Sequence, residues 1–137
     1  MPSVMVCIYM ALKSRMAQVP GLPPISHPGQ LVEPPGDAAW TEVMNIVPDP
    51  QRIFINPNRK HNRIGTFQAL IYTPLKGMVY EASQEIGGQV ANAFPVDFAM
   101  IFEGVRVRVS DEPAVGDGYR DRSWWVTPVR IRWQSYS

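Results

Sequence analysis

Few residues in this 137-residue chain have the types and spacing that chemistry needs. Its single cysteine, Cys7, sits among Val6, Ile8 and Tyr9. One thiol forms neither an internal disulfide nor a thiolate zinc site, and these flanks read as a small buried hydrophobe rather than a nucleophile. The two histidines, His27 and His61, fall in loop-like segments with no paired histidine at ligand spacing. A metal site needs three or four converging donors, so none is expected. Asp111 and Glu112 precede Pro113 and read as turn residues instead of an acid–base pair. Gly116-Asp117-Gly118 has the composition of a phosphate loop, but a strand-like segment follows it where such a loop requires a helix. No catalytic, metal or cofactor-binding constellation emerges, and an enzyme is not expected.

The sharper pattern is arginine at every second position. Arg106 and Arg108 alternate with Val105, Val107 and Val109, while Arg130 and Arg132 alternate with Val129, Ile131 and Trp133. Period two is the signature of a strand with two unlike faces. If the two segments pair, four guanidinium groups share a face, with Tyr119, Trp124 and Trp133 nearby in sequence. Three uses fit this patch. It could be a solvated sheet face. It could be a subunit interface, where Arg and Trp are over-represented. Or it could bind single-stranded nucleic acid by charge and stacking. The formal charge of +1 weighs against the third use, because phosphate binding needs net basic surface.

The elements that must position these residues are short and proline-punctuated. An apolar share of 45% with 18% charged residues suits one folded domain. The 14 prolines are about twice average usage and exclude an all-helical bundle. No run of 18 apolar residues exists to span a membrane. Met1 to Leu12 lacks the charged start and small-residue cleavage site of a secretory signal, so a soluble protein made in a cytoplasm is expected. Ser3 can cap a first helix, Val4 to Gln18, with Val4, Ile8, Leu12 (or Ala11) and Arg15/Met16 at three- and four-residue steps. Pro20 and Gly21 end it. Residues 20–36 form a proline-rich extended arm or edge strand.

Trp40 to Val47 reads as a strand, with Trp40, Glu42, Met44 and Ile46 facing one way. Ile53 to Ile55 is a short continuation, and residues 56–64 are a basic loop. Gly65 to Tyr72 is a second clear strand. Met78 to Phe94 is a second helix, with Val79, Ala82, Ile86, Val90 and Ala93 on one face. Gly87 and Gly88 inside it suggest a bend or close packing on a sheet. Val105 to Val109 and Ser123 to Gln134 complete the strands. Helix, strands, helix, strands predicts an α+β domain: a mostly antiparallel or mixed sheet with two helices on one face.

Over nearly its whole length the chain resembles the tail terminator proteins of long-tailed bacteriophages with non-contractile tails. The resemblance rests on Ala11-Leu12-Lys13-Ser14-Arg15-Met16-Ala17 with Val19-Pro20-Gly21-Leu22-Pro23-Pro24-Ile25. It continues through Arg63-Ile64-Gly65-Thr66-Phe67-Gln68-Ala69-Leu70-Ile71-Tyr72, the helix with Ala82 and Val90, and Gly104-Val105-Arg106-Val107-Arg108-Val109. Pro113, Gly116 and Trp124 to Ile131 complete it. It implies a structural virion protein assembled in the host cytoplasm. Such a protein forms a ring, usually a hexamer, that caps the head-proximal end of the tail tube, stops its polymerisation and offers a head-joining surface. Its implied partners are further copies of itself, the tube protein, a head-completion or connector protein, and genomic DNA passing through the lumen without sequence recognition. No cofactor is implied. Candidate subunit or tube contacts are Leu22, Pro23, Pro24 and Leu31 in the arm, Arg59, Lys60, His61 and Arg63 in the basic loop, and Arg106, Arg108, Arg130 and Arg132. Deleting Leu22 to Pro35 should then disrupt assembly and spare the fold. The alternatives are another neck protein, of head- or tail-completion type, and a single-stranded nucleic-acid-binding module.

Overall fold

Alternation of apolar and polar residues builds a sheet with one face for burial. A computed structural model describes residues 3–29, 38–48, 51–52 and 61–136. Helix α1 (Val4–Met16) begins at Ser3, whose hydroxyl accepts the Val6 N–H at 3.3 Å. Next come strands β1 (Ile25–Ser26), β2 (Trp40–Ile46), β3 (Gln51–Arg52) and β4 (His61–Pro74). Helix α2 (Val79–Ala93) precedes β5 (Ala99–Phe102), β6 (Val105–Val109), β7 (Ala114–Val115), β8 (Tyr119–Asp121) and β9 (Trp124–Tyr136). The strands form one nine-stranded sheet in the order β1-β2-β4-β9-β6-β5, with β3 added to β4, and β7 and β8 to β9. Only β1 with β2 is parallel among the described pairs. The fold is α+β, with both helices on one face.

Two long strands carry the register. β4 and β9 pair antiparallel from Asn62 opposite Tyr136 to Pro74 opposite Trp124. The other edge of β9 meets β6, β7 and β8 in succession. A proline inside a central strand removes a ladder donor and is normally excluded. Pro128 is accommodated because it falls between the partners of β7, which end at Val129, and those of β8, which end at Val126. Its carbonyl accepts the Gly116 N–H at 2.8 Å.

The inner face of the sheet presents Phe67, Ala69, Ile71, Val107, Val109, Val129, Ile131 and Trp133, all fully buried. Ile8, Leu12 and Met16 of α1, with Val90 and Phe94 at α2, close over them. Each large apolar side chain buried there contributes about 1.5–3 kcal/mol. The α2 stripe differs from the expected one. Ser83, Gly87 and Val90 are buried while Ala82 is exposed. A β-carbon on Gly87 would lie 2.8 Å from Val115 Cγ1, so the missing side chain is what lets the helix sit down on the sheet. A stripe centred on serine and glycine has little hydrophobic signal, which is why periodicity selected a neighbouring face. Ser83 Oγ also meets Thr73 Oγ1 of β4 at 2.8 Å.

The helices are tied to each other by Arg15. Its Nε donates to Ala93 O, the last residue of α2, at 2.7 Å, and its guanidinium carbon lies 4.3 Å from the Phe98 ring centroid. No basic residue stands in the last turn of α2 itself, so α1 supplies the cation that the helix C-terminus favours.

Two expected segments need correction. The basic loop of residues 56–64 does not extend to 64, because His61 to Ile64 belong to β4. β3 pairs with His61 and Asn62, and β9 runs on to Tyr136, so the ladder starts earlier than the apolar alternation suggests. The described part of the proline arm is bound to the sheet through β1. Thr41 N–H donates to Pro24 O at 2.8 Å and Thr41 Oγ1 to Pro23 O at 3.3 Å. Proline lacks a donor but keeps its carbonyl, and this edge uses only carbonyls there. Leu22 and Ile25 pack against the core. Deleting Leu22 to Pro35 removes partners of Thr41 and core contacts, so a loss of fold stability is expected from it as well as a loss of assembly. Leu31, Arg59, Lys60 and Ile53 to Ile55 lie outside the described residues.

Candidate functional site

The helices leave the outer face of the sheet uncovered. Register places Trp40, Glu42, Met44 and Ile46 of β2 on this face beside Tyr72, Leu70, Gln68 and Thr66 of β4. Arg130 and Arg132 stand opposite Gln68 and Thr66, and Arg108 stands opposite Gln134. Arg106 pairs with Ile101 of the edge strand β5. The structure thus brings Arg106, Arg108, Arg130 and Arg132 to one face. Exposed apolar residues surround them: Ile46 is 50% exposed, Ile64 42%, Ile101 68% and Tyr136 58%.

A polar ladder fixes part of this surface. Asp97 pairs with Arg108 Nη1 at 2.5 Å, Arg108 Nη2 donates to Gln134 Oε1 at 2.7 Å, and Gln134 Nε2 donates to Asn62 Oδ1 at 2.6 Å. The ladder crosses β6, β9 and β4 and holds the Arg108 fork in place. Arg132 lies 3.8 Å from Asp111. Arg106 and Arg130 have no ion-pair partner among the described residues. A concavity of about 310 Å³ opens here, lined by Arg106, Arg108, Gln134, Ser135 and Tyr136.

The opposite end of the same face is aromatic. Trp40 stacks on Tyr72 with centroids 4.1 Å apart and planes 6° apart, and Trp124 meets Tyr72 edge-on at 6.5 Å. Burial, reinforced by the neighbouring carboxylate of Glu42, pushes the Tyr72 hydroxyl up to about 12. Sequence reasoning put Trp40 on a face but did not find this cluster. The signal was the shared parity of Trp40 and Tyr72, which needs the strand register to become a contact.

The remaining sequence candidates separate. Trp133 is buried on the inner face, so it does not interleave with the arginines. Arg63, opposite Ser135, also turns inward, and its Nη1 approaches Met5 Sδ at 3.8 Å. His27 Nδ1 shares a 2.8 Å hydrogen bond with Tyr9 Oη. Burial and the charge of Lys13 lower its proton affinity, and burial raises the Tyr9 hydroxyl. Cys7 is buried in α1. Among the described residues no cluster of histidine, cysteine and carboxylates could hold a metal, and no helix is long and apolar enough to cross a membrane.

The outer sheet face thus combines arginines with exposed apolar side chains, a composition also found at protein interfaces. A solved structure that is 18% identical shares the fold, with a TM-score of 0.71 over 96% of this chain and 92% of its own. No curated protein matches the sequence. The family model described as phage tail terminator protein matches residues 7–133, nearly every element of the two-layer fold. By that match the chain belongs to the phage tail terminator family, a family of structural proteins of the virion tail.

Proposed function

We propose that this protein forms a closed ring of six copies on the head-proximal end of the tail tube. The ring stops tube polymerisation and presents a surface for joining the head. The observation that carries this reading is the uncovered outer sheet face, where Ile46, Ile64, Ile101 and Tyr136 remain exposed beside the arginines. Apolar groups left in water at this density gain by meeting a partner. Tube subunits stack by a repeating contact that has no intrinsic end, and a terminator must match that contact on one side only. Its partners are then further copies of itself, the tube protein and a head-completion or connector protein. Genomic DNA passes through the lumen without base readout.

Another neck component is the nearest rival and differs in which ring each surface meets. A single-stranded nucleic-acid module is disfavoured by geometry, since the Trp40–Tyr72–Trp124 cluster lies at the other end of the face from the arginines. Mass measurement and electron microscopy of the purified protein, alone and with tube protein, test the reading. Rings that cap tubes and limit their length are expected. A chain that stays monomeric even on tubes would overturn it.

A further inference from the structure

We propose that neighbouring copies of this chain meet front to back, with the exposed face of α2 in one copy against the arginine face of the sheet in the next. This deepens the ring reading above and rests on it, by naming the two surfaces that touch.

Helix α2 and the arginine-bearing strands β6 and β9 carry charges of opposite sign on opposite layers of the fold. The 15 residues of α2 include Glu81 and Glu85 and no basic residue. Both carboxylates are exposed, one helical turn apart, on the side away from buried Ser83, Gly87 and Val90. On the far side of the sheet stand Arg106, Arg108, Arg130 and Arg132. Asp97 and Asp111 already engage two of these guanidinium groups, and Arg106 and Arg130 have no such partner among the described residues. The 310 Å³ concavity lined by Arg106, Arg108, Gln134, Ser135 and Tyr136 leaves room beside the unpaired Arg106 guanidinium, and a carboxylate is the group such a fork binds best.

Opposite charges on opposite sides have a consequence for symmetry. A two-fold contact would set arginine against arginine or glutamate against glutamate, and like charges across an interface cost several kcal/mol. A front-to-back contact matches them, and being heterologous it repeats from copy to copy until the rotation closes a ring. A second copy fits this surface better than a nucleic acid. The formal charge is only +1, so copies are not held apart, and carboxylates of the chain itself neutralise half of the four arginines.

Charge reversal in trans tests the proposal. Glu81→Lys with Glu85→Lys makes one variant, and Arg106→Glu with Arg130→Glu makes the other. All four side chains are exposed, so the circular dichroism and unfolding midpoint of each variant should match the parent. Each variant alone should lose assembly by at least about tenfold, read by native mass spectrometry and by ring images on tubes. Their equimolar mixture should recover it, because strict alternation restores every contact and a six-membered ring permits alternation. The neutral versions, with glutamine at the same positions, should fall between the parent and the reversed variants. Two results overturn the front-to-back contact and leave the ring reading standing. One is variants that assemble alone like the parent, and the other is a mixture that fails to recover. A parent chain that never assembles, alone or on tubes, overturns both. Loss of binding to a fluorescent oligonucleotide by the arginine variant, with assembly unchanged, assigns the face to nucleic acid instead.

Discussion

Trp133 stands directly across the β4–β9 ladder from Gly65, and its indole occupies the space where a side chain at Gly65 would begin. A β-carbon there would run into Trp133 Cζ2 and Cε2. The same indole donates from Nε1 to Asn45 Oδ1 at 2.9 Å, so one ring spans β9, β4 and β2. Gly65→Ala should therefore destabilise the chain by about 2 kcal/mol, in the range for overpacking a core. Urea unfolding measures the loss, and tryptophan emission should shift as the indole leaves its site. An unchanged midpoint would show that the ring can move aside freely.

The two adjacent glycines of α2 should respond in opposite directions. Gly87→Ala meets the stiff Val115 side chain at 2.8 Å, whereas a β-carbon on Gly88 meets nothing within 4 Å. Helix propensity alone favours alanine at both by about 1 kcal/mol. Gly88→Ala should realise that gain as a higher unfolding midpoint. Gly87→Ala should lose about 1–2 kcal/mol net, because the helix must lift from the sheet. Equal stabilisation by both would refute the close approach.

Arg15→Ala should cost about 1–2 kcal/mol, by leaving the Ala93 carbonyl without its cation and removing the contact with Phe98. Arg15→Lys should recover less than half of this loss, since an ammonium cannot both donate in the plane of a fork and lie flat on the ring. Amide exchange offers a local readout, with faster exchange in the last turn of α2. Full rescue by lysine would mean that charge alone holds the helices together.

Tyr72 predicts an alkaline dependence. Its hydroxyl is raised from the ordinary 10.0 to about 12, first by burial and then by Glu42. The fold favours the protonated form, so this contribution is complete below pH 10 and is lost as pH climbs from about 10 to 12. The urea midpoint should fall over that interval. Tyr72→Phe should flatten the fall, and Glu42→Gln should move it to lower pH. A slope that persists unchanged in Tyr72→Phe assigns the effect to another group.

Much of this fold is legible because period two is a strong signal. The inner residues Val129, Ile131 and Trp133 and the outer Arg130 and Arg132 are separated by parity alone, and the structure keeps that separation. Parity cannot supply register. The Trp40–Tyr72 stack therefore needs the β2–β4 register, and the start of β4 at His61 needs the β3 and β9 partners of a polar segment that shows no apolar alternation. Two- and three-residue strands such as β7 and β8 offer too few positions for any period to show. In α2 the buried face is made by absence, at Gly87, and hydrophobicity does not register a missing side chain. The four arginines could be gathered from sequence, but whether each was already neutralised depended on Asp97 and Asp111 in separate turns.

The long β4–β9 ladder also has a mechanical meaning. Its thirteen residue pairs, from Asn62–Tyr136 to Pro74–Trp124, link two strands that run in opposite directions. Hydrogen bonds in an antiparallel pair lie across the strands, so sliding one strand along the other strains all of them at once. Peeling from an end would break them one by one. A load applied along the strands thus meets the sheet in shear, the direction in which a shared ladder yields least.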